Sequence, residues 1–284
     1  MLPSLSTAVS GLQNYQQQIN VIGNNIANVN TTAFRASRTD FADSFYQTLQ
    51  ASGATGQPAM QVGSGVNTTS IRMVDTPAGQ TQTDVSTDLA VAGNGYFMVR
   101  DTVSNTPYAT RAGNFKLDGQ GYLVTDDAKG LRVQGYSDSG LQTLGDIQID
   151  TTGKPASSAA GVSMLSYSID DQGKVNVNLS DGKQFVRGQV LLQNFSDPQA
   201  LMREGNNLYS GIAAAGPLGG SSPTPAAPGT NGLGRIQAGA LELSNVDLAT
   251  EFSDLITAQR AFQASARMIT TSDELLQEMV NLKR

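Results

Sequence analysis

Apolar residues recur every seven positions at both ends of the chain and every two positions through its middle. Near the amino terminus Leu5, Leu12, Ile19 and Ile26 are spaced by seven, and Ala8, Tyr15, Ile22 and Val29 repeat the spacing three residues later. That pattern predicts a helix over residues 3–29 carrying an a/d seam. At the other end Leu241, Leu248, Leu255, Phe262, Ile269 and Leu276 form one strong row. Phe252, Gln259, Ala266, Asp273 and Val280, each four residues further on, form a mixed companion row. The rows predict a helix from about Val246 to Leu282, roughly 55 Å long at ~1.5 Å per residue. A rod of that length cannot bury its own stripe and needs a partner.

Local signals fit these helices. Ser244-Asn245 stand where an N-cap is expected, Glu251 and Asp254 put negative charge in the early turns, and Lys283 and Arg284 put positive charge at the far end. The outer face of the first helix is Ser, Gln and Asn with almost no charge. A solvated helix normally carries Glu and Lys there. Two readings stand: a surface helix on a globular core, or a helix with neighbours on several sides. Asn24, Asn25, Asn28 and Asn30 close the segment, as expected of a residue that ends helices and starts turns. In residues 41–50, Phe41, Phe45 and Leu49 sit at helical spacing and predict a short amphipathic helix. Residues 51–65, small, polar and Gly-rich, read as a long flexible loop.

From Val66 to about Phe195 the period becomes two, broken by turn residues, with hairpin-type turns at Asp118-Gly119 and Asp181-Gly182. This predicts an antiparallel β domain. Residues 211–234, rich in Gly, Pro, Ala and Ser, read as a flexible surface loop or linker with little capacity to pack a core. The fold class that results is α+β and segmented. The two terminal helices pair as an antiparallel coiled coil around a central all-β domain. The expected divisions are 1–30 with 244–284, an extended connecting region at 31–75, and a β domain at 76–243 that contains the 211–234 loop.

Composition narrows the chemistry. The 284 residues include no Cys, no His and no Trp, charged residues make up 15%, and the net charge is −6. Disulfides, Cys/His metal sites, thiol catalysis and His-based proton transfer are therefore excluded. No Lys/Arg block invites nucleic acid or an anionic membrane, and no apolar run is long enough to span a bilayer. No basic segment precedes an apolar core, so no cleaved secretory signal is expected. A carboxylate enzyme drawing on Asp118, Asp126, Asp127, Asp170 and Asp171 is formally possible. Most of these acids lie in Asp-Gly or Asp-Asp turn contexts, which favours a structural role. A monomeric β module with a helical stalk is a third reading. No cofactor, metal or catalytic residue is expected. A two-helix stalk this apolar and this weakly charged is a poor solvent-exposed object, and packing against copies of itself resolves that. A head-to-tail contact that does not close gives a helical tube.

Specific phrases carry a resemblance. SGLQNYQQQINVIGNNIANVNTTAFRASRTDF, with its heptad helix, NNIANVNT turn and Phe34-Arg35 step, resembles the amino-terminal signature of the bacterial flagellar rod and hook axial proteins. DLAVAGNGYFMV with YATRAGNFKLDGQGYLV, and the stretch from Leu241 to Arg284, resemble that family's β-domain and carboxy-terminal signatures. Ala33 occupies a place where the family often has Gly, which questions a left-handed backbone there. The resemblance implies a homopolymeric helical tube, with paired terminal helices inside and the β domain outside. It implies export, unfolded and without a cleaved signal, through the flagellar type III apparatus, and neighbours among axial, cap and junction proteins. Within the family, TTSDELLQEMVNLKR, NTTAFRASRTDFADSF and YATRAGNF resemble hook proteins more. The compact length and the 51–65 loop resemble the distal rod. The sequence thus favours a hook subunit, with a distal rod subunit of the basal body as the alternative.

Overall fold

The computed structural model describes residues 2–50, 59–155, 158, 161–218 and 224–282, and the chain divides into two compact units. Two long helices, one near each end, bracket a central antiparallel β region. The first unit combines 1–29, 35–74 and 246–284. Its helix α1 spans Leu2–Ala27, and four strands follow: β1 (Ser37–Asp43), β2 (Tyr46–Gln50), β3 (Met60–Gly63) and β4 (Val66–Met73). The unit ends in α2, Leu248–Leu282.

Residues 41–50, expected to be helical from the spacing of Phe41, Phe45 and Leu49, are extended. β1 runs antiparallel to β4, from Ser37 opposite Met73 to Asp43 opposite Val66, and β2 pairs with β3 from Tyr46 opposite Gly63. Ser44 N–H to Gly65 O and Ser64 N–H to Phe45 O carry the ladder from one pair into the next. Strand partners rich in Val, Thr and Ile, lying more than ten residues away, outweigh a local three-residue helical spacing. The expected 51–65 loop is also shorter, because β3 takes Met60–Gly63; residues 51–58 lie outside the described residues. Gly65 permits the approach of the hairpin to α1. Its φ is +114°, and a Cβ there would stand 2.2 Å from Ser10 Oγ.

The second unit comprises 30–34 and 75–245. Its strands, in chain order, are β5 (Gln80–Gln82), β6 (Leu89–Ala92), β7 (Tyr96–Arg100), β8 (Pro107–Thr110), β9 (Phe115–Leu117), β10 (Leu123–Thr125), β11 (Arg132–Tyr136) and β12 (Leu144–Asp146). β13 (Met164–Ile169), β14 (Lys174–Leu179), β15 (Gln184–Val190), β16 (Leu192–Gln193), β17 (Met202–Gly205), β18 (Leu208–Ser210), β19 (Arg235–Ala238) and β20 (Ala240–Glu242) follow. The main sheet runs β13-β14-β15-β11-β7-β8-β18-β17, while β19 pairs β6 and β20 pairs β5, all antiparallel. Inward-facing Phe97, Val99, Leu123, Val133, Ile147 and Leu192 centre the apolar core. The period-two residues of the sequence supply it, as alternation requires.

The carboxylates considered for catalysis hold turns together. Asp118 Oδ1 accepts from Gln120 and Tyr122 N–H, and Asp170 Oδ1 accepts from Gln172 and Lys174 N–H. Asp127 accepts from Thr125 Oγ1 and Gly130 N–H, Asp126 pairs with Lys116, and Asp171 pairs with Arg235. Among the described residues no three acidic side chains gather as a metal site. The 211–234 segment corrects its expectation. Ile212, Ala215 and Leu233 are buried, and isolated bridges join Pro217 to Phe195 and Ala226 to Leu192. Sparse apolar residues among glycines can still fill a core when neighbouring strands bring a surface to them. Residues 219–223 of the segment lie outside the described set. Ala33 also departs from expectation: it keeps a left-handed φ of 55° without a glycine, while fully buried, and its N–H donates to Glu242 O at 2.9 Å. A non-glycine residue in this conformation costs about 1–2 kcal/mol, which the surrounding structure must offset.

Arg111 is the electrostatic centre of this unit. Its side chain is 2% exposed, it donates to Glu242 Oε2 at 2.8 Å, and it also donates to the carbonyls of Val91, Gly93 and Gly95. Glu242, 1% exposed, also accepts from Ala78 N–H at 3.1 Å. A buried guanidinium is tolerable because its donors are so engaged. Replacing Arg111 by Met strands the carboxylate. The expected loss is about 3–5 kcal/mol of stability, read as a lower urea midpoint of the β region, with Glu242→Leu in the same chain recovering part of it.

Candidate assembly surface

Two side-chain contacts define how α1 and α2 lie together. A Cβ on Gly11 would stand 3.2 Å from Ser265 Oγ, and Asn25 Nδ2 donates to Glu251 Oε1 at 3.0 Å. The helices are therefore antiparallel. One register satisfies both contacts, bringing Leu2 level with Glu274 and leaving residues 275–282 of α2 past the end of α1.

Every predicted seam residue of α1 is covered to some degree: Ala8 and Ile22 are buried, and Leu5, Leu12, Tyr15, Ile19, Ile26 and Val29 are half-buried. On α2 the row Leu255, Phe262 and Ile269 is half-buried, whereas Leu248 and Leu276 are exposed. The companion row lies elsewhere than expected. Phe252 and Val280 are exposed, as are Gln259 and Asp273, and only Ala266 is half-buried. The covered residues are instead three positions after each strong-row residue: Glu251, Ala258, Ser265 and Ser272, with Ala258 buried. Apolarity picked out Phe252, but small size decides which row faces a close neighbour, and Gly11, Ala258 and Ser265 are small. Side-chain size was the signal that could have found this row.

α1 has a second neighbour, the β1–β4 hairpin. Asn14, 8% exposed, donates to Val66 O at 2.9 Å and accepts from Thr68 Oγ1, and the Tyr15 and Phe41 rings meet edge to face at 6.2 Å. Asn25, 1% exposed, donates to Ser37 O at 2.8 Å and accepts from Ser37 N–H at 2.9 Å. With its bond to Glu251, Asn25 ties α1 to β1 and α2 at once. Asn24 and Asn28 behave as end-of-helix residues, with Asn28 Nδ2 donating to Asn24 O at 2.9 Å, and Asn30 is exposed. Phe34, in the second unit, is buried beneath the guanidinium of Arg203. Asn14 escaped sequence reasoning because a lone Asn inside a heptad helix looks like solvent-facing filler.

The charge on Glu251 is opposed by burial and by neighbouring Asp254 and Asp247, so its pKa lies above the ordinary 4.5 despite the bond from Asn25. Asp40, on the same unit, shifts the other way, because Arg72 hydrogen-bonds and pairs with it.

Much apolar surface in this unit is uncovered. On α2, Phe252, Ile256, Met268, Leu275, Met279 and Leu282 are exposed; in the β2–β3 ribbon, Phe45, Tyr46, Leu49, Met60 and Val62 are exposed. A two-stranded ribbon exposed on both faces is marginal alone. No helix among the described residues is long and apolar enough to cross a membrane. Uncovered apolar surface of this extent marks a face suited to contact with another molecule.

The comparisons agree. Residues 5–35 match the family described as flagella basal body rod protein, residues 90–177 the flagellar hook protein FlgE/F/G D1 domain, and residues 237–282 the flagellar basal body rod FlgEFG protein C-terminal region. The flagellar basal-body rod protein FlgG of Bacillus subtilis is 40% identical, with 100% of both chains covered. That of Caulobacter vibrioides is 33% identical, covering 99% of this chain and 100% of the relative. The flagellar hook protein FlgE of Borreliella burgdorferi is 26% identical across 100% of both, over a 451-residue alignment. The chain belongs to the flagellar rod and hook protein family, and is a structural axial component of the flagellum rather than an enzyme.

Glu251 gives a pH test. Its folded pKa is raised, so between 4.5 and the raised value the folded state holds more protons than the unfolded state. Stability of the first unit therefore falls as pH rises through that window, and the cost is complete above it. Glu251→Gln keeps the acceptor for Asn25 and removes the charge. The variant should unfold later than wild type above the window and match it below pH 4.5, followed by circular dichroism of helix loss.

Proposed function

We propose that this chain is a distal rod subunit of the flagellar basal body, polymerising into a helical tube that surrounds the export channel and transmits torque. The observation that carries this reading is the end-to-end relation to FlgG proteins, 40% identical with 100% of both chains covered. The hook reading preferred from the sequence gives way to it. The hook relative is less identical, 26%, and its 451-residue alignment exceeds the 284 residues of this chain, so much of that length has no counterpart here. The β2–β3 ribbon, whose apolar side chains are open to a neighbour, also supports a stiff, closely packed segment.

In this reading the seam of α1 and α2 forms a coiled-coil-like pair on the inside of the tube. Leu5, Leu12, Ile19, Leu255, Phe262 and Ile269 hold it together, and the exposed Phe252 and Val280 contact other copies. Adjacent axial and junction proteins continue the tube at either end, and the subunit reaches it through the type III export apparatus without a cleaved signal.

Electron microscopy of basal bodies from cells lacking the protein tests the assignment. Loss of the distal rod is expected; basal bodies with a complete rod and no hook would return the hook reading. Leu255→Asp puts a charge into the helix pair at a cost of several kcal/mol. It should abolish polymer seen by sedimentation while the β region stays folded, and normal polymer from this variant would remove the seam from assembly.

A further inference from the structure

The chain contains eight methionines and no cysteine. A thiolate intercepts a two-electron oxidant before a thioether does, so in this chain the sulfur open to such an oxidant is that of methionine alone. Met1 lies outside the described residues, and the other seven stand in contrasting surroundings. Met98 is 3% exposed in the β core, and Met73, at the end of β4, is half-buried. Met60, Met268 and Met279 are 55%, 52% and 57% exposed, and Met164 and Met202 are exposed as well.

Position distinguishes the exposed ones. On α2, residues 268, 275 and 282 are spaced by seven and residue 279 follows 275 by four, so Met268, Leu275, Met279 and Leu282 share one apolar face, exposed throughout. It is not the face turned to α1, which carries Ala258 and Ser265. In the β2–β3 ribbon, Met60 and Val62 of β3 point to one side, and both are exposed. Thioethers are thus two of the four side chains on the helix face and one of these two on the strand. Met202 differs in its company: it stands in β17 beside Arg203 and Glu204, on a strand that is exposed and charged.

We propose that Met60, Met268 and Met279 are oxidation sites at which a peroxide switches the free subunit out of assembly. This rests on the self-assembly reading and adds to it a chemical control of the same surface. The step needs the peroxide and nothing else. A sulfur lone pair attacks one peroxide oxygen, an S–O bond forms as the O–O bond breaks, and the proton on the attacked oxygen passes to the departing one, which leaves as water or an alcohol. Sulfur gives up two electrons, the peroxide is reduced, and each thioether becomes a sulfoxide. The sulfoxide oxygen is a hydrogen-bond acceptor that a dry contact between copies leaves unpaired, so covering the oxidised face costs free energy that covering a thioether does not. Copies packed over these faces keep peroxide from the sulfurs, which makes the free subunit the sensitive form.

The test adds hydrogen peroxide to the chain before and after polymerisation and maps oxygen uptake at each methionine by peptide mass spectrometry. In the free chain Met60, Met202, Met268 and Met279 should oxidise at comparable rates and Met98 roughly tenfold more slowly, and in the polymer Met60, Met268 and Met279 should slow roughly tenfold. The oxidised subunit should keep its helix content by circular dichroism, need a roughly tenfold higher critical concentration to assemble, and recover on treatment with methionine sulfoxide reductases. A chain carrying Met60→Leu, Met268→Leu and Met279→Leu should show the same critical concentration with and without peroxide, whereas Met202→Leu should remain sensitive. Normal assembly of the oxidised wild-type subunit, loss of helix on oxidation, or undiminished sensitivity in the triple variant overturns the switch while leaving self-assembly intact. Failure of the untreated chain to polymerise removes both.

Discussion

Two helices can lie close along their length only where the facing side chains are small, and the first unit depends on that constraint. Gly11 lies against Ser265, and buried Ala8 and Ala258 extend the rule to neighbouring turns. Larger apolar residues, Leu255, Phe262 and Ile269, flank the contact and are half-covered by it. The arrangement gives a slim pair in which much of α2 stays open to other molecules. A pair that buried its whole stripe internally would leave no apolar face for another molecule.

Polar side chains set the geometry that the small residues permit. Asn25 holds a strand and a helix to α1 through hydrogen bonds to Ser37 and Glu251, and Asn14 does the same for Val66 and Thr68. Such bonds add modest stability each, but a buried amide left without them is costly, so register cannot slip. In the second unit Arg111 and Glu242 have the corresponding role, drawing three carbonyls and Ala78 N–H toward one buried ion pair. Gly113 makes room beside it: a Cβ there would fall 1.6 Å from Leu89 O.

Both long helices, the antiparallel character of the centre and the structural use of Asp118 and Asp170 were legible in the chain, because heptads, alternation and Asp-Gly turns are local signals. What escaped was non-local. Phe41, Phe45 and Leu49 spell a helix until the strands beginning at Met60 and Val66 supply partners. Phe252 looked like a seam residue until a neighbour selected Ala258 and Ser265 by size. Ile212, Ala215 and Leu233 looked too sparse for a core because the strands that receive them were not in view. Of the helix pair, the rows of α1 and the row Leu255, Phe262 and Ile269 were readable, the companion row of α2 was not, and the clamp made by Asn25 was visible only as a run of asparagines.

The bond between Asn25 and Glu251 spans 226 residues of sequence. A contact of that separation closes a loop that takes in most of the chain, at a cost in loop entropy. The first unit is accordingly discontinuous, its opening helix synthesised long before the helix it needs. Until that helix arrives, α1 lacks one of its two neighbours. The order of the chain thus acts as a timer, withholding the helix pair and the apolar face it presents until residues beyond 251 have been made.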